Sequence, residues 1–137
     1  MLNACRSIDP THGHRTVRGT VLVARGTAAS RLRDRADISP ADPELHPRTA
    51  VGIDRDRRLV LLLAADGRSG SSSGLTPAQL AETLASLGSE DALDLDGGGS
   101  STMVAPDPTG TTTGALDAPS DGAERPVPNG LVFQPAP

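Results

Sequence analysis

The chain contains no lysine, tryptophan or tyrosine, and only one cysteine and one phenylalanine in 137 residues. A single cysteine can form neither a disulfide within the chain nor a closed zinc site. A phosphate-binding NTPase loop needs a lysine before its Ser/Thr, so that class is excluded as well. Too few aromatic side chains are present to stack on sugar rings or nucleic-acid bases. These absences remove several common function classes before any motif is considered.

Charge and hydropathy exclude further classes of protein. The 13 basic residues are all arginine and stand against 17 acidic ones, for a net charge of −4, so we expect no nucleic-acid partner. No apolar run approaches the ~20 residues of a membrane span, and residues 1–6 lack the apolar core of a signal peptide. If the start of the chain is correct, the sequence alone therefore predicts a cytoplasmic protein.

The most informative motif is LDLDGGGSSTM at residues 93–103. Alternation of leucine and aspartate predicts a short strand with Asp94 and Asp96 on the same side. The three glycines that follow allow the backbone to approach a ligand closely, and three hydroxyl side chains come next. An active-site loop is the interpretation we favour. The alternative is a glycine-rich turn whose aspartates bond only their own backbone.

Other glycine-loop and nucleophile signatures do not match. The dinucleotide pattern G-x-G-x-x-G would require glycine at Thr102, and no G-x-S-x-G nucleophile elbow is present. A serine hydrolase that uses Ser100 or Ser101 with His46 stays a minor alternative, because no order of triad residues supports it. His12 and His14 are too few for a metal site, so we predict none.

Local patterns predict an α+β fold, with a mixed or antiparallel sheet and one principal covering helix. Thr76, Pro77 and Gln79 form the start signal of that helix, and Gly88 ends it. Residues 48–53 and 58–64 are predicted to form a β-hairpin. The apolar run 59–63 predicts that the second strand is buried on both faces. Further strands are predicted at 20–24, 101–105 and 131–133, a brief helix at 27–35, and a loop at 106–123.

Four blocks of the sequence together resemble the C-terminal part of the phosphodiester glycosidase domain family. They are HPRTAVGI at 46–53, ADGR at 65–68, ALDLDGGGSSTM at 92–103 and ERPVPNG at 124–130. The resemblance covers residues 17–134, which leaves 1–16 as a predicted disordered leader and 135–137 as a tail. It also implies that the N-terminal portion of the family domain is missing, and that the protein is extracellular or in the cell envelope.

The resemblance implies a hydrolase that cleaves the glycosidic bond of a sugar-1-phosphodiester of the GlcNAc type, in a cell-envelope or exopolysaccharide context and without a cofactor. The alternative is an inactive remnant or a carbohydrate-binding or structural module. Arginine suits the leaving phosphate because its planar fork binds two oxygens. The predicted catalytic carboxylates are Asp96, Asp66 and Glu124. The predicted substrate-binding residues are Arg48, Thr49, Arg68, Gly97, Gly98, Gly99, Ser100, Ser101, Arg125 and Asn129.

One position departs from the family, in which asparagine is common before the second leucine of the motif. Here that position is Asp94. If Asp94 and Asp96 face the same pocket, repulsion between them is expected to raise the pKa of one carboxyl.

Overall fold

The computed structural model describes residues 3–5, 20–24, 27–28, 43–128 and 130–133. Six strands form one sheet in the order β1-β5-β4-β6-β2-β3, and two more form a separate hairpin. The strands of the sheet are β1 Asn3–Cys5, β2 Thr20–Ala24, β3 Thr27–Ala28, β4 Arg48–Asp54, β5 Leu59–Ala65 and β6 Asp91–Gly97. The small hairpin pairs β7 Val104–Pro106 with β8 Thr113–Ala115. Every described strand pair is antiparallel, and the described residues also contain one α-helix, as the α+β class requires.

The hairpin β4–β5 forms as predicted, and β6 pairs with the other side of β4. Alternate residues of β4 are buried, from Arg48 through Ala50 and Gly52 to Asp54. Gly52 is needed for close packing, because a Cβ there would lie 2.1 Å from the Ser89 Oγ. The run 59–63 is less buried than expected, since only Val60 and Leu61 are fully covered.

The helix α1, Pro77–Ser86, covers the buried face of the sheet. Its start follows the sequence signal: the Thr76 hydroxyl accepts from the Gln79 N–H, and the Gln79 side chain accepts from the Thr76 N–H. Gly88 follows the helix with φ +95°, as its C-terminal role requires. The core consists of Ala50, Leu80, Ala81, Leu84 and Ala92, with Leu63, Leu75 and Ala85 packed against it.

A β-bulge in β6 overturns the predicted arrangement of the two aspartates. Asp94 pairs with Ala50 and Asp96 pairs with Thr49, so Leu95 is an extra residue between them. Because neighbouring residues of β4 face opposite sides, the two aspartates also do. Asp94 is 3% exposed, whereas Asp96 is exposed.

Several local predictions were wrong. Thr27 and Ala28 form a strand and not the start of a helix, while residues 29–35 lie outside the described part. Residues 131–133 form no strand, and Val132 is 81% exposed, because these apolar residues pair with no strand of the described part of the chain. The strand expected at 101–105 begins only at 104, and its partner β8 lies inside the predicted loop.

Only three residues of the predicted N-terminal leader are described. Strand β1 lies inside the segment 1–16 and pairs with β5, so these three residues do not fit the predicted disordered leader. The rest of that segment, like residues 135–137, is outside the described ranges. In the described part of the chain, no helix has the length and apolar character needed to cross a membrane.

Candidate active site

Three of the four family-like blocks meet at one end of the sheet. Because β4 is antiparallel to both neighbours, its first residue, Arg48, lies opposite the last residue of β5, Ala65, and of β6, Gly97. The loop with Asp66 and Arg68 follows β5, and the glycine-rich loop follows β6. Antiparallel pairing therefore brings together residues that are as many as 49 positions apart in the sequence.

The glycine-rich loop turns sharply as it leaves β6. Residues Gly98–Ser100 form one turn of 3-10 helix, in which the Ser101 N–H donates to the Gly98 carbonyl at 3.1 Å. The Gly98 N–H donates to the Pro47 carbonyl at 2.9 Å, which ties the loop to the residue before β4. Gly98 has φ +71°, a conformation that side-chain-bearing residues rarely adopt.

Arg48 and Asp94 form a buried ion pair beneath this loop. Their Nη1 and Oδ2 atoms lie 3.1 Å apart, and the side chains are 5% and 3% exposed. The Arg48 Nε also donates to the Leu75 carbonyl at 3.2 Å, just before the helix. Arg48 was predicted to bind substrate, but its contacts are those of a buried residue that fixes the start of β4 to β6 and the helix.

Burial raises the pKa of the Asp94 carboxyl. The charge and hydrogen bond of Arg48 oppose this rise, and repulsion from Asp96 adds the smallest contribution. Repulsion was the cause that we expected from the sequence, so the direction agrees while the main cause is burial. The Asp94 Oδ1 is itself buried and has no hydrogen-bond partner among the described residues.

Arg68 approaches the glycine-rich loop from the β5 side. Its Nη1 lies 3.5 Å from the position that a Cβ on Gly98 would occupy. Its Nη2 lies 2.6 Å from the Nδ1 of His46, and the His46 Nε2 lies 3.1 Å from a Glu44 carboxylate oxygen. Arg68 is exposed, so its guanidinium can meet a ligand over the loop.

Arg125 and Asp121 lie next to the loop at Gly99. Their Nη2 and Oδ2 atoms are 2.5 Å apart, and the side chains are about half exposed. A Cβ on Gly99 would lie 2.1 Å from the Asp121 Oδ2 and 2.6 Å from the Arg125 Nη2. A side chain at position 99 would therefore displace this ion pair from its place against the loop.

The three predicted catalytic carboxylates differ in their surroundings. Asp96 is exposed at the start of the loop, and its Oδ1 accepts from the Gly97 N–H at 2.8 Å. Asp66 Oδ1 accepts from the Ala118 N–H at 2.8 Å, which ties the end of β5 to the segment after β8. Glu124 is exposed next to Arg125. Asp96 is the carboxylate that is both exposed and part of the glycine-rich loop.

Of the remaining predicted residues, Thr49 and Ser100 hold the backbone of the loop. Thr49 Oγ1 bonds the backbone of Asp96, donating to its carbonyl at 3.0 Å and accepting from its N–H at 3.3 Å. Ser100 Oγ donates to the Gly97 carbonyl, while Ser101 Oγ is buried without a partner among the described residues. Asn129 lies outside the described residues.

The contacts of His46 bear on the serine-hydrolase alternative. Its two ring nitrogens face Arg68 and Glu44, and the Ser100 hydroxyl is directed to a backbone carbonyl. This arrangement does not favour a serine nucleophile activated by His46.

Sequence reasoning missed three residues that shape the site. His46 was considered only as a partner for a serine, although its place in the HPRT block was a usable signal. Asp121 lies in a segment rich in glycine, threonine and proline, where nothing marks it out. Asp117 accepts from the Met103 N–H at 2.7 Å, which joins the end of the glycine-rich motif to the segment after β8. Within the described ranges, no three His, Cys, Asp or Glu side chains are grouped as a metal site requires.

Comparison with known sequences identifies the family of the chain. Residues 7–134 match the phosphodiester glycosidase family. The chain is 33% identical over 134 residues to the SPbeta prophage-derived uncharacterized protein YomE of Bacillus subtilis (strain 168), covering 89% of this chain. It spans only 20% of the length of that curated relative.

Two solved structures are similar. A putative exported protein from Burkholderia pseudomallei K96243 is 38% identical, with a TM-score of 0.50 over 59% of this chain and 14% of that one. A hypothetical protein from Synechocystis is 21% identical, with a TM-score of 0.53 over 75% of this chain and 18% of that one, and shows the fold alone. Since the family match spans nearly the whole sequence, the chain belongs to the phosphodiester glycosidase family.

Proposed function

We propose that this chain provides a site that hydrolyses the glycosidic bond of a sugar-1-phosphodiester of the GlcNAc type. The observation that carries the proposal is that two exposed guanidinium groups, those of Arg68 and Arg125, lie close to the neighbouring residues Gly98 and Gly99 of the glycine-rich loop. One guanidinium group can donate hydrogen bonds to two phosphate oxygens at once. Family membership supports the same substrate class.

The proposed chemistry begins with the sugar over the loop and its phosphodiester between the two arginines. Water attacks the anomeric carbon, the bond from that carbon to the phosphate oxygen breaks, and the phosphate leaves with the electron pair. Arg68 and Arg125 stabilise the charge that develops on the phosphate. A phosphate is a good leaving group, and the arginine contacts stabilise its charge further. The reaction therefore depends less on a strong general acid.

Asp96 is the carboxylate that we propose for the sugar side of the reaction. Its exposed carboxylate can stabilise the positive charge on the sugar ring or take the proton of the attacking water. Its Oδ1 accepts from the Gly97 N–H, which fixes the direction of the group. We propose Asp66 as a residue that orders the loop at 118, since its Oδ1 is bonded there. Glu124 is proposed as a second carboxylate at the exposed side.

The test is release of free GlcNAc from an α-GlcNAc phosphodiester by the purified protein. Methyl α-GlcNAc, which lacks the phosphate, is the matched control substrate. The proposal predicts release from the phosphodiester and little from the methyl glycoside, since the latter has no group for the two arginines. Sugar binding without release would support the alternative of a carbohydrate-binding module and contradict the enzyme.

We further propose that the protein works outside the cytoplasm, in an envelope or exopolysaccharide context. The support is the Burkholderia relative, which is described as a putative exported protein. Cell fractionation of the source organism tests this, and recovery of the natural protein only in the cytoplasm would contradict it.

A further inference from the structure

The contact between Arg68 and His46 defines the proton positions on the imidazole. The Arg68 Nη2 lies 2.6 Å from the His46 Nδ1. A guanidinium group has only donors, so Nδ1 must accept and carry no proton. In the neutral ring the proton is then on Nε2, which lies 3.1 Å from the Glu44 carboxylate and can donate to it.

Both residues are held by the backbone around them. His46 forms an isolated bridge with Leu75, with hydrogen bonds of 3.3 and 3.0 Å in the two directions. Gly74, at φ +104°, lies so close that a Cβ there would be 2.4 Å from the His46 carbonyl. Arg68 is itself in the left-handed region at φ +53°. The imidazole is therefore a fixed acceptor on the inner side of the Arg68 side chain.

We infer that His46 is a positioning residue that holds the Arg68 guanidinium against the glycine-rich loop, ready for the oxygens of a phosphodiester. An exposed arginine otherwise samples many rotamers, and fixing it beforehand lowers the entropy lost on binding. Nη2 is used by His46, while Nη1 points toward Gly98, 3.5 Å from its Cβ position. One edge of the group is thus anchored and the other faces the loop. The inference rests on the proposed function for the nature of the ligand.

Kinetics on the full chain test this role with four variants. His46→Leu removes the acceptor, and we expect KM for the α-GlcNAc phosphodiester to rise about tenfold with little change in kcat, as for the loss of one hydrogen bond to a charged group. His46→Asn keeps an acceptor oxygen at nearly the Nδ1 position and should restore most of the affinity. Arg68→Ala and the double variant His46→Leu/Arg68→Ala should have the same KM, because His46 acts only through Arg68. Additive effects, or an asparagine variant as poor as the leucine variant, would overturn the inference.

Nitrogen NMR of the imidazole tests the same contact without any turnover. The His46 signal is identified by its absence in His46→Asn, and the spectrum is recorded near pH 8, where histidine is ordinarily neutral. We expect an unprotonated Nδ1 whose shift moves in Arg68→Ala but not in Arg125→Ala. A proton on Nδ1, or an Nδ1 shift that ignores Arg68, would refute the inference. If the wild-type protein releases no GlcNAc, the proposed function fails, and this measurement still decides the role of His46.

Discussion

Two arginine–aspartate pairs flank the glycine-rich loop, and they differ in burial. Arg48 and Asp94 are about 95% or more buried beneath the loop, whereas Arg125 and Asp121 are about half exposed beside it. The first pair joins two adjacent strands and, through Leu75, the segment that leads into the helix. The second joins residues four apart in one segment.

The difference in burial assigns different tasks to chemically identical pairs. A buried charge that loses its partner remains in a medium that solvates it poorly, so removing one member of the buried pair is expected to destabilise the fold. An exposed pair contributes little stability because water solvates each partner. A guanidinium at the surface can instead exchange its carboxylate for a phosphate. The sequence alone ranks Arg48 and Arg125 together, and burial separates them.

The largest expected effect is on the buried pair. Arg48→Ala leaves Asp94 buried without its partner and should lower the free energy of unfolding by about 3–5 kcal/mol. Arg125→Ala should lower it by less than about 1 kcal/mol, while raising KM for the phosphodiester. Denaturant unfolding of the two variants measures the contrast. Equal losses of stability would remove the distinction between the pairs.

The next effect concerns the packing of the exposed pair on the loop. Gly99→Ala adds a Cβ that would overlap Asp121 Oδ2, so Asp121 and Arg125 must move away. A displacement of about 1 Å in a positioning group can cost roughly 10²-fold in rate, and we expect a loss of that order in kcat/KM. Gly114→Ala is the matched control, since no atom of the described residues lies within 4 Å of its Cβ position. Full activity in Gly99→Ala would show that Arg125 takes no part.

A smaller effect is the pH dependence that Asp94 gives to folding. Burial raises its pKa in the folded protein above the ordinary 3.8. At pH values between 3.8 and the raised pKa, Asp94 holds a proton in the folded protein that it has released in the unfolded chain. The contribution of Asp94 to stability therefore falls as pH rises. Asp94→Asn lacks this contribution. The unfolding free energy of the wild type minus that of the variant should therefore decrease with rising pH through this interval. An increase would mean that the Arg48 charge outweighs burial.

The smallest effect lies in the β7–β8 hairpin, where a carboxylate behaves in the opposite way. Hydrogen bonds from Thr112 and Thr109, with further bonds from Thr111, lower the pKa of Asp107 below its ordinary 3.8. The stabilisation is present above the ordinary value and is lost as pH falls toward the lowered one. Amide signals of residues 109–112 should shift in that acidic range and not in Asp107→Asn. Amide signals that shift equally with pH in the wild type and in Asp107→Asn would contradict the assignment of this effect to Asp107.

Sequence patterns predicted the elements whose signals are local. The capping box at Thr76 and Gln79 and the apolar run in β5 depend on neighbours within a few residues, and both elements formed within one residue of their predicted bounds. The bulge at Leu95 could not be predicted, because it depends on the register between β4 and β6. That one residue decides which aspartate is buried.

The segments of the candidate site come together through strand pairing and not through local signals. Arg48, Arg68 and the glycine-rich loop meet because antiparallel pairing aligns the ends of three strands. The partners His46 and Asp121 were missed, since their contacts depend on loop paths and not on periodicity. The strand predicted at 131–133 failed because apolar composition does not supply a pairing edge.

The central claim is that the exposed end of the glycine-rich loop performs catalysis, and Asp96→Asn tests it most directly. The change keeps the size of the side chain and an oxygen acceptor for the Gly97 N–H, and it removes the charge. Turnover of the α-GlcNAc phosphodiester and the melting temperature are measured beside Asp56→Asn, an exposed aspartate in the β4–β5 turn. We predict a loss of more than about 10²-fold in kcat for Asp96→Asn, with both variants melting near the wild type. Activity retained in Asp96→Asn would contradict the assignment and direct attention to Asp66 or Glu124.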